Sequence, residues 1–503
     1  MELFDNLLLG LQVASDPSIL WYCFFGVFLG TAVGVLPGIG ALAAISLLLP
    51  MTYHMSPTAA IVMLAGVYYG AQYGGSTASI LMNLPGGPAS AVTCLDGYPL
   101  ARKGKAGIAL FVTTIASLFG AMFGLILLVL FSPLIAEVGL KFGPAELFAM
   151  MVMGLVAASS MGTGSPIKGL AMVVMGVLMG MVGTDVNSGA ARFTMDIPEL
   201  MDGINLVALA MGLFGVAEVV RGIHGQDETQ KIEKVTLRSM VPTKQEMNSS
   251  YPAMLRGSAL GSALGALPGV GPSIAAFMAY AIEKKVAKKP EEFGQGALQG
   301  ISAPESANNA AAQTAFVPSL SLGIPGDAVM AIMLGALIIH GIQPGPMLIN
   351  EQPEMFWGLV VSFFIGNIML VLLNIPTIGI WVSLLRIPFT WLYPAILVFV
   401  ALGVYSVNNN HFDIYMVAIL GVVGYLFMLL RFEAAPLLLG YILGPMVEEN
   451  LRRALLLSRG DPSIFIDRPI SATLLAITAV MLGWTMFKFL QRSLRRRHIS
   501  SAA

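Results

Sequence analysis

Charge is what this 503-residue chain has least of: Asp, Glu, Lys and Arg make up 11% of it, against 56% hydrophobic residues. Soluble domains run nearer ~25% charged. With a mean hydropathy of +0.80, too little polar surface is left to face water. The scarcity is concentrated. Ala106–Ser132, Met355–Leu385, Ile387–Phe412 and Pro469–Phe487 contain no Asp, Glu, Lys or Arg at all. A spanning helix needs ~20 apolar residues, and only helices or closed barrels satisfy their backbone in lipid. These runs are continuous, not alternating, so they read as helices and not as barrel strands.

Other scarcities remove whole function classes. A net charge of −1 leaves no global field for nucleic acid. The two cysteines, Cys23 and Cys94, lie in or near apolar segments and read as packed thiols, with no disulfide framework. His54, His224, His340, His411 and His498 show no ligand spacing, so no metal site is expected. There is no Gly-x-x-x-x-Gly-Lys-Ser/Thr loop for ATP. No nucleophile–base–orienter set is readable, so the chain does not read as an enzyme. No basic region precedes the first apolar run, which reads as an uncleaved helix, not a signal peptide.

What is present is a repeated unit. Gly30-Thr-Ala-Val-Gly34-Val-Leu36-Pro37-Gly38-Ile-Gly40 recurs as Gly261-Ser-Ala-Leu-Gly265-Ala-Leu267-Pro268-Gly269-Val-Gly271. Ser79-Ile-Leu-Met-Asn83-Leu-Pro85-Gly86 then answers Ser319-Leu-Ser-Leu-Gly323-Ile-Pro325-Gly326. A weaker echo pairs Gly212–Gly215 and Glu218 with Gly440–Gly444 and Glu448. The chain divides into an N-terminal segment (1–14), a first membrane repeat (15–223), a polar linker (224–252), a second membrane repeat (253–450), and a final helix with a basic tail (451–503).

Lys and Arg orient it. None occurs in residues 1–101 or 290–385. They gather at Arg102, Lys103 and Lys105, from Arg221 to Arg256, at Lys284–Lys289, and in the tail at Arg492, Arg495, Arg496 and Arg497. The positive-inside tendency puts these clusters in the cytoplasm. The N-terminus then faces outward, the C-terminus inward, and the two halves run in opposite senses, a plan common in secondary transporters. Arg452, Arg453 and Arg459 fall outside on this reading and count against it. The expected fold is an all-α polytopic membrane protein with two inverted repeats and roughly 10–13 membrane segments.

Each half opens with paired short segments: Trp21–Leu36 with Ala41–Tyr53, and Pro252–Leu267 with Ser273–Val286. Each pair reads as a re-entrant hairpin tipped by Leu-Pro-Gly-x-Gly; two short kinked helices are the plainer reading. Each half then offers a helix interrupted by small and polar residues, Tyr69–Ser79 and Asn308–Thr314, followed by a Pro-Gly corner. Broken helices expose N–H groups at one stub and C=O groups at the other, which suit an anion and a cation respectively. Clustered at matching places, these residues read as binding sites; isolated glycines such as Gly120 or Gly176 read as helix packing. The substrate candidates are Pro37, Gly38, Gly40, Ser79, Asn83, Pro85, Gly86, Pro268, Gly269, Gly271, Ser319, Gly323, Pro325 and Gly326. The candidates for contact with a coupling sodium ion or proton are Ser76, Thr77, Glu305, Asn308, Asn309 and Ser321. Neither site holds Lys or Arg, so an anionic substrate would need a co-bound cation.

These segments resemble the large membrane subunit of the tripartite tricarboxylate transporter family, TctA. The likeness rests on Gly34–Gly40, Tyr69-Gly70 with Tyr73–Leu81, Asn83–Gly86, Asp96–Gly107, Gly265–Gly271, Ala303–Ala310 and Leu322–Gly326, and spans about residues 15–450. It implies a bacterial inner-membrane secondary transporter without an enzymatic cofactor, importing citrate or another di- or tricarboxylate by sodium or proton symport. A small membrane subunit and a periplasmic solute-binding protein are the implied partners; a homo-oligomer stays open. A single-component carrier and a passive channel are the alternatives. The paired hairpins also look like those of elevator-type carriers. One departure stands out: Phe316 and Val317 occupy the places of Ser76 and Thr77.

Overall fold

The computed structural model describes residues 2–36, 40–83, 85–139, 141–159, 166–185, 189–222, 235, 237–267, 271–384 and 389–500. These are helical almost throughout. The first half runs α1 (Glu2–Ala14), α2 (Pro17–Val35), α3 (Gly40–Thr52), α4 (Pro57–Met82), α5 (Cys94–Leu100), α6 (Ala106–Gly139), α7 (Pro144–Ser159), α8 (Pro166–Gly180), α9 (Leu206–Ala210) and α10 (Ala217–Gly222). The second runs α11 (Lys244–Gly265), α12 (Gly271–Val286), α13 (Gln299–Thr314), α14 (Phe316–Leu322), α15 (Ala328–Ile339), α16 (Leu348–Glu351), α17 (Pro353–Asn374), α18 (Ile378–Leu384), α19 (Phe389–Asn408), α20 (His411–Leu429) and α21 (Ala435–Leu457). Then come α22 (Ile464–Asp467) and α23 (Pro469–Ser500). Among the described residues the single sheet is one antiparallel pair, β1 (Gly183–Thr184) with β2 (Ala191–Arg192).

Local chemistry sets the helix starts. Asp16 accepts the Ser18 N–H at 2.8 Å with Pro17 in the first turn of α2, so this helix begins four residues before the apolar run at Trp21. Its 19 residues qualify it as a span, where the run alone reads as too short. Thr243 and Glu246 cap α11 reciprocally. That helix therefore takes in residues 244–252, which by polarity read as linker.

Among the described residues, four helical stretches are long and apolar enough to cross a bilayer: Pro17–Val35, Cys94–Phe131, Pro353–Asn374 and His411–Leu429. Their outer faces are bare. Trp21 and Phe28 are exposed on α2 while Cys23 and Val27 are buried, and α20 exposes Tyr415, Ile419, Val422 and Leu426. So much exposed apolar surface is unsuited to water and natural in lipid.

Two helix pairs form the centre. α2 lies along α4, and α11 lies along α13, by the same device. A Cβ on Gly30 would stand 2.4 Å from the Val67 carbonyl oxygen, and one on Gly261 would stand 2.2 Å from that of Ala307. Gly26 and Gly34, and Gly257 and Gly265, make the same approach a turn to either side. Third helices are then exchanged: α6 of the first half packs on α13, and α17 of the second on α4.

Candidate functional site

α4 is one unbroken helix through Tyr69–Ser79, and this corrects the reading of an interrupted segment. Gly70 and Gly74 bring its backbone onto that of α2: added Cβ atoms would meet the Val27 and Thr31 carbonyl oxygens at 2.7 and 2.3 Å. They are packing residues, because a helix supported on both flanks keeps its ladder despite glycine. The break falls where the corner residues stand. Asn83 ends α4 at φ 57, and Gly323 ends α14 at φ 66, the left-handed C-cap that stops a helix.

The first-half candidates then gather. Gly86 is pressed between Gly34 and Gly75, where a Cβ would lie 2.2 Å from the Gly34 carbonyl oxygen. Gly40 opens α3 at φ +65, beside the Gly86 carbonyl oxygen. Ser79 donates to Gly75 O and lies 2.9 Å from Ser90 O. The second half matches: Gly326 sits against Gly265 and Ala315, Gly271 opens α12 at φ +66 beside Gly326 and Asp327, and Ser319 donates to Ala315 O at 2.7 Å. Pro37, Gly38, Pro268 and Gly269 lie outside the described residues. The corners differ in cover: Asn83 and Pro85 are exposed, while Gly323, Pro325 and Gly326 are buried.

The halves meet where α4 crosses α13. Tyr68 donates to Asp327 at 2.5 Å, Asn308 to Gln72 at 3.2 Å, and Ser76 to Glu305 at 2.7 Å. Asp327 also caps α15, accepting the Met330 N–H at 2.8 Å. α15 in turn touches α3, and α12 touches the short turn Pro88–Ala91 that follows the first corner. Each half thus lays the helix that follows its tip against the segment that follows the other's corner.

Glu305 is the centre of this crossing, buried and held by three hydroxyls: Ser76, Thr93 at 2.5 Å and Ser117 at 3.3 Å. Thr93 and Ser117 escape the sequence reading, because they come from a loop and from the apolar run of α6. The one signal they carry is a hydroxyl in a segment that is otherwise apolar. Along the same face of α13, Asn308 Oδ1, Asn309 Oδ1 and both amide atoms of Gln313 are buried without a partner among the described residues. Asn309 spends its amide N–H on Glu305 O. Thr77 is buried, and Ser321 donates to its own helix at Val317 O. Phe316, in the place of Ser76, fills its site with an aromatic contact to Phe363 at 4.6 Å between centroids. The two corners are therefore chemically unequal.

The surroundings are polar at one end. Lys103 donates to Gln295 O, Lys105 pairs with Glu246, and Arg256 with Glu283, so three basic clusters that lie far apart in sequence share one end of the molecule. Asp96 accepts the N–H groups of Gly294, Gly296 and Ala297 at 2.8, 2.7 and 2.8 Å. Elsewhere Arg192 bridges Asp185 and Glu448, Arg452 joins both acids, and Arg453 pairs with Glu449.

Helices that bare apolar faces outward and bury a polar crossing within define a multi-pass membrane protein. The tripartite tricarboxylate transporter TctA family model matches residues 20–439. The chain belongs to that family, which is a family of transporter components and not an enzyme family. It is 50% identical over 477 residues, 95% of each chain, to an "uncharacterized 52.8 kDa protein in TAR-I ttuC' 3'region" of Agrobacterium vitis. It is also 53% identical over 205 residues to an "uncharacterized protein in TAR-II ttuC' 3'region" of the same organism, covering 41% of this chain and 85% of that one. No solved structure matches it. As the large subunit of a tripartite system, it implies further subunits.

Proposed function

We propose that this chain is the permease subunit of a bacterial inner-membrane importer. It carries a di- or tricarboxylate such as citrate by symport with sodium or a proton. The substrate is delivered by a periplasmic binding protein, and a small membrane subunit completes the complex. The observation that carries this reading is the crossing of α4 and α13. At that crossing the buried carboxylate of Glu305 and the unpartnered Oδ1 atoms of Asn308 and Asn309 stand beside α4, and Asp327, next to the second corner, bonds Tyr68, which supports a site between the halves.

Electrostatics argues for symport. A helix terminus stabilises an anion by ~0.3–1 kcal/mol, ~2 when partly buried. Entry of each negative charge against about −100 mV costs ~2.3 kcal/mol. No Lys or Arg stands at the crossing among the described residues to offset this, so a cation travels with the substrate. The matched glycine approaches and the exchanged third helices support two repeats, and we read them as inverted, moving in an elevator-like manner. The shared end of the Lys103, Lys105 and Arg256 clusters supports its cytoplasmic placement. Pairing of Arg452 and Arg453 with acids weakens the objection that they lie outside.

Uptake of labelled carboxylates into vesicles, with and without sodium, tests the reading. Asn83→Ala or Gly86→Ala, at equal protein level, is expected to abolish saturable uptake. Unchanged uptake would remove these residues from the site, and conductance without saturation would indicate a channel. Activity of the chain without its neighbours would indicate a single-component carrier.

A further inference from the structure

The transport reading above leaves the coupling cation open, and the geometry around Glu305 bears on it. Ser76 Oγ and Thr93 Oγ1 stand 2.7 and 2.5 Å from Glu305 Oε1. A hard cation keeps each ligand oxygen ~2.3–2.6 Å from itself, so oxygens gathered around one stand well over ~3 Å apart. Contacts this close each hold a hydrogen atom and leave no room for an ion between Oε1 and these two hydroxyls.

Nothing else neutralises this carboxylate. Among the described residues no Lys, Arg or His lies within ion-pair distance of it. The titratable groups that face it are Tyr73 from α4, whose hydroxyl bonds Asn367, and Cys94 from the start of α5. α6 contributes the hydroxyl of Ser117, and α14 carries no titratable residue. Nearer the polar end, α11 and α12 bring Arg256 and Glu283, which pair with each other, and Tyr280 stands with Asp96 beside Gly300. A lone buried charge in a membrane interior costs several kcal/mol or more. It persists where it has a function.

The hydrogen bonds serve both protonation states without moving a heavy atom. As a carboxylate, Glu305 accepts from all three hydroxyls. With a proton on Oε2, it donates to Ser117 Oγ and keeps Ser76 and Thr93 on Oε1. The Ser117 hydroxyl then turns to the carbonyl one turn back, the bond that Thr113 and Thr114 already make on α6. The unpartnered Oδ1 atoms of Asn308 and Asn309 and the amide of Gln313 extend the polar row along α13, and buried polar groups of this kind are the ones that ordered water satisfies.

We propose that Glu305 is the proton-carrying group of this transporter: it takes a proton on one side of the membrane, crosses with substrate, and releases the proton on the other. The proton adds to Oε2 and leaves from it, and no other covalent bond changes.

The test uses the full chain with its natural partner subunits in liposomes, with citrate and a panel of labelled di- and tricarboxylates as probes. Counterflow by the wild type identifies the working probe; its absence for the whole panel defeats the transport reading itself. With that probe, Glu305→Gln is expected to keep counterflow and lose accumulation driven by an acid exterior. Accumulation at the wild-type level in Glu305→Gln overturns the proposal, as does wild-type accumulation that ignores the proton gradient. An independent readout needs no substrate. The infrared difference between acid and alkaline buffer is expected to show a carboxylic-acid carbonyl band that is lost in Glu305→Gln and shifted in Ser117→Ala. An unchanged band in both variants overturns the proposal even where Glu305→Gln assembles poorly.

Discussion

Gly261 has no room for a side chain: a Cβ there would stand 2.2 Å from the Ala307 carbonyl oxygen. Gly30 is held in the same way by Val67. Overpacking of this kind costs ~1–3 kcal/mol. Gly261→Val and Gly30→Val are each expected to lower the thermal midpoint in detergent, whereas Gly483→Ala, whose Cβ would meet nothing, is expected to leave it unchanged. Asp327 tests a different bond. Asp327→Ala removes a helix cap, worth ~0.5–2 kcal/mol, and takes the carboxylate partner from the buried Tyr68 hydroxyl. Tyr68→Phe in the same background is expected to recover part of the lost stability, and a double-mutant cycle measures it. Gly70 and Gly74 read from sequence as part of a binding segment but pack α4 on α2, because clustering distinguishes a special segment from an ordinary one, but not the purpose it serves. Close backbone contact and ligand approach both demand glycine.

At the scale of elements, α5 reaches across to the second half through Asp96. One carboxylate oxygen accepts three N–H groups from the turn 294–297 ahead of α13. Hydrogen bonds to a charged group contribute ~1.5–3 kcal/mol each, so Asp96 is the main anchor of this turn, beside the Lys103 bond to Gln295 O. Asp96→Ala is expected to speed tryptic cleavage at Lys284, Lys285, Lys288 and Lys289, with cleavage elsewhere unchanged; equal rates would show that the turn is held by other contacts. Helix ends follow the same logic. The start of α2 is written in Asp16 and Pro17, and that of α11 in Thr243 and Glu246. Apolar runs mark what lipid or protein covers, while caps mark where the backbone turns, so the two disagree by several residues at both helices.

Across the whole molecule, neither half contains its own core. α6 packs on α13 and α17 on α4, so each half supplies a helix that the other needs. When residues 1–230 and 231–503 are produced as separate chains, neither is expected to accumulate alone, and co-production is expected to yield a complex that purifies through a tag on either piece. Stable accumulation of one half alone would show that the exchange is dispensable.

The sequence alone determined the membrane class, the twin motifs and the family, because each is a local property: scarce charge, a recurring glycine spacing, an ordered set of short segments. It also marked Glu305, since a carboxylate within a small-residue helix is unusual in any setting. Tertiary structure decided what those residues do. Ser76, Thr93, Ser117 and Glu305 are strung across four segments of the chain and meet only because glycine lets the helix pairs close and α4 crosses α13. Helix periodicity reports which face is apolar, but not which partner covers it. Which hydroxyl meets which carboxylate is settled by packing between segments far apart in the chain.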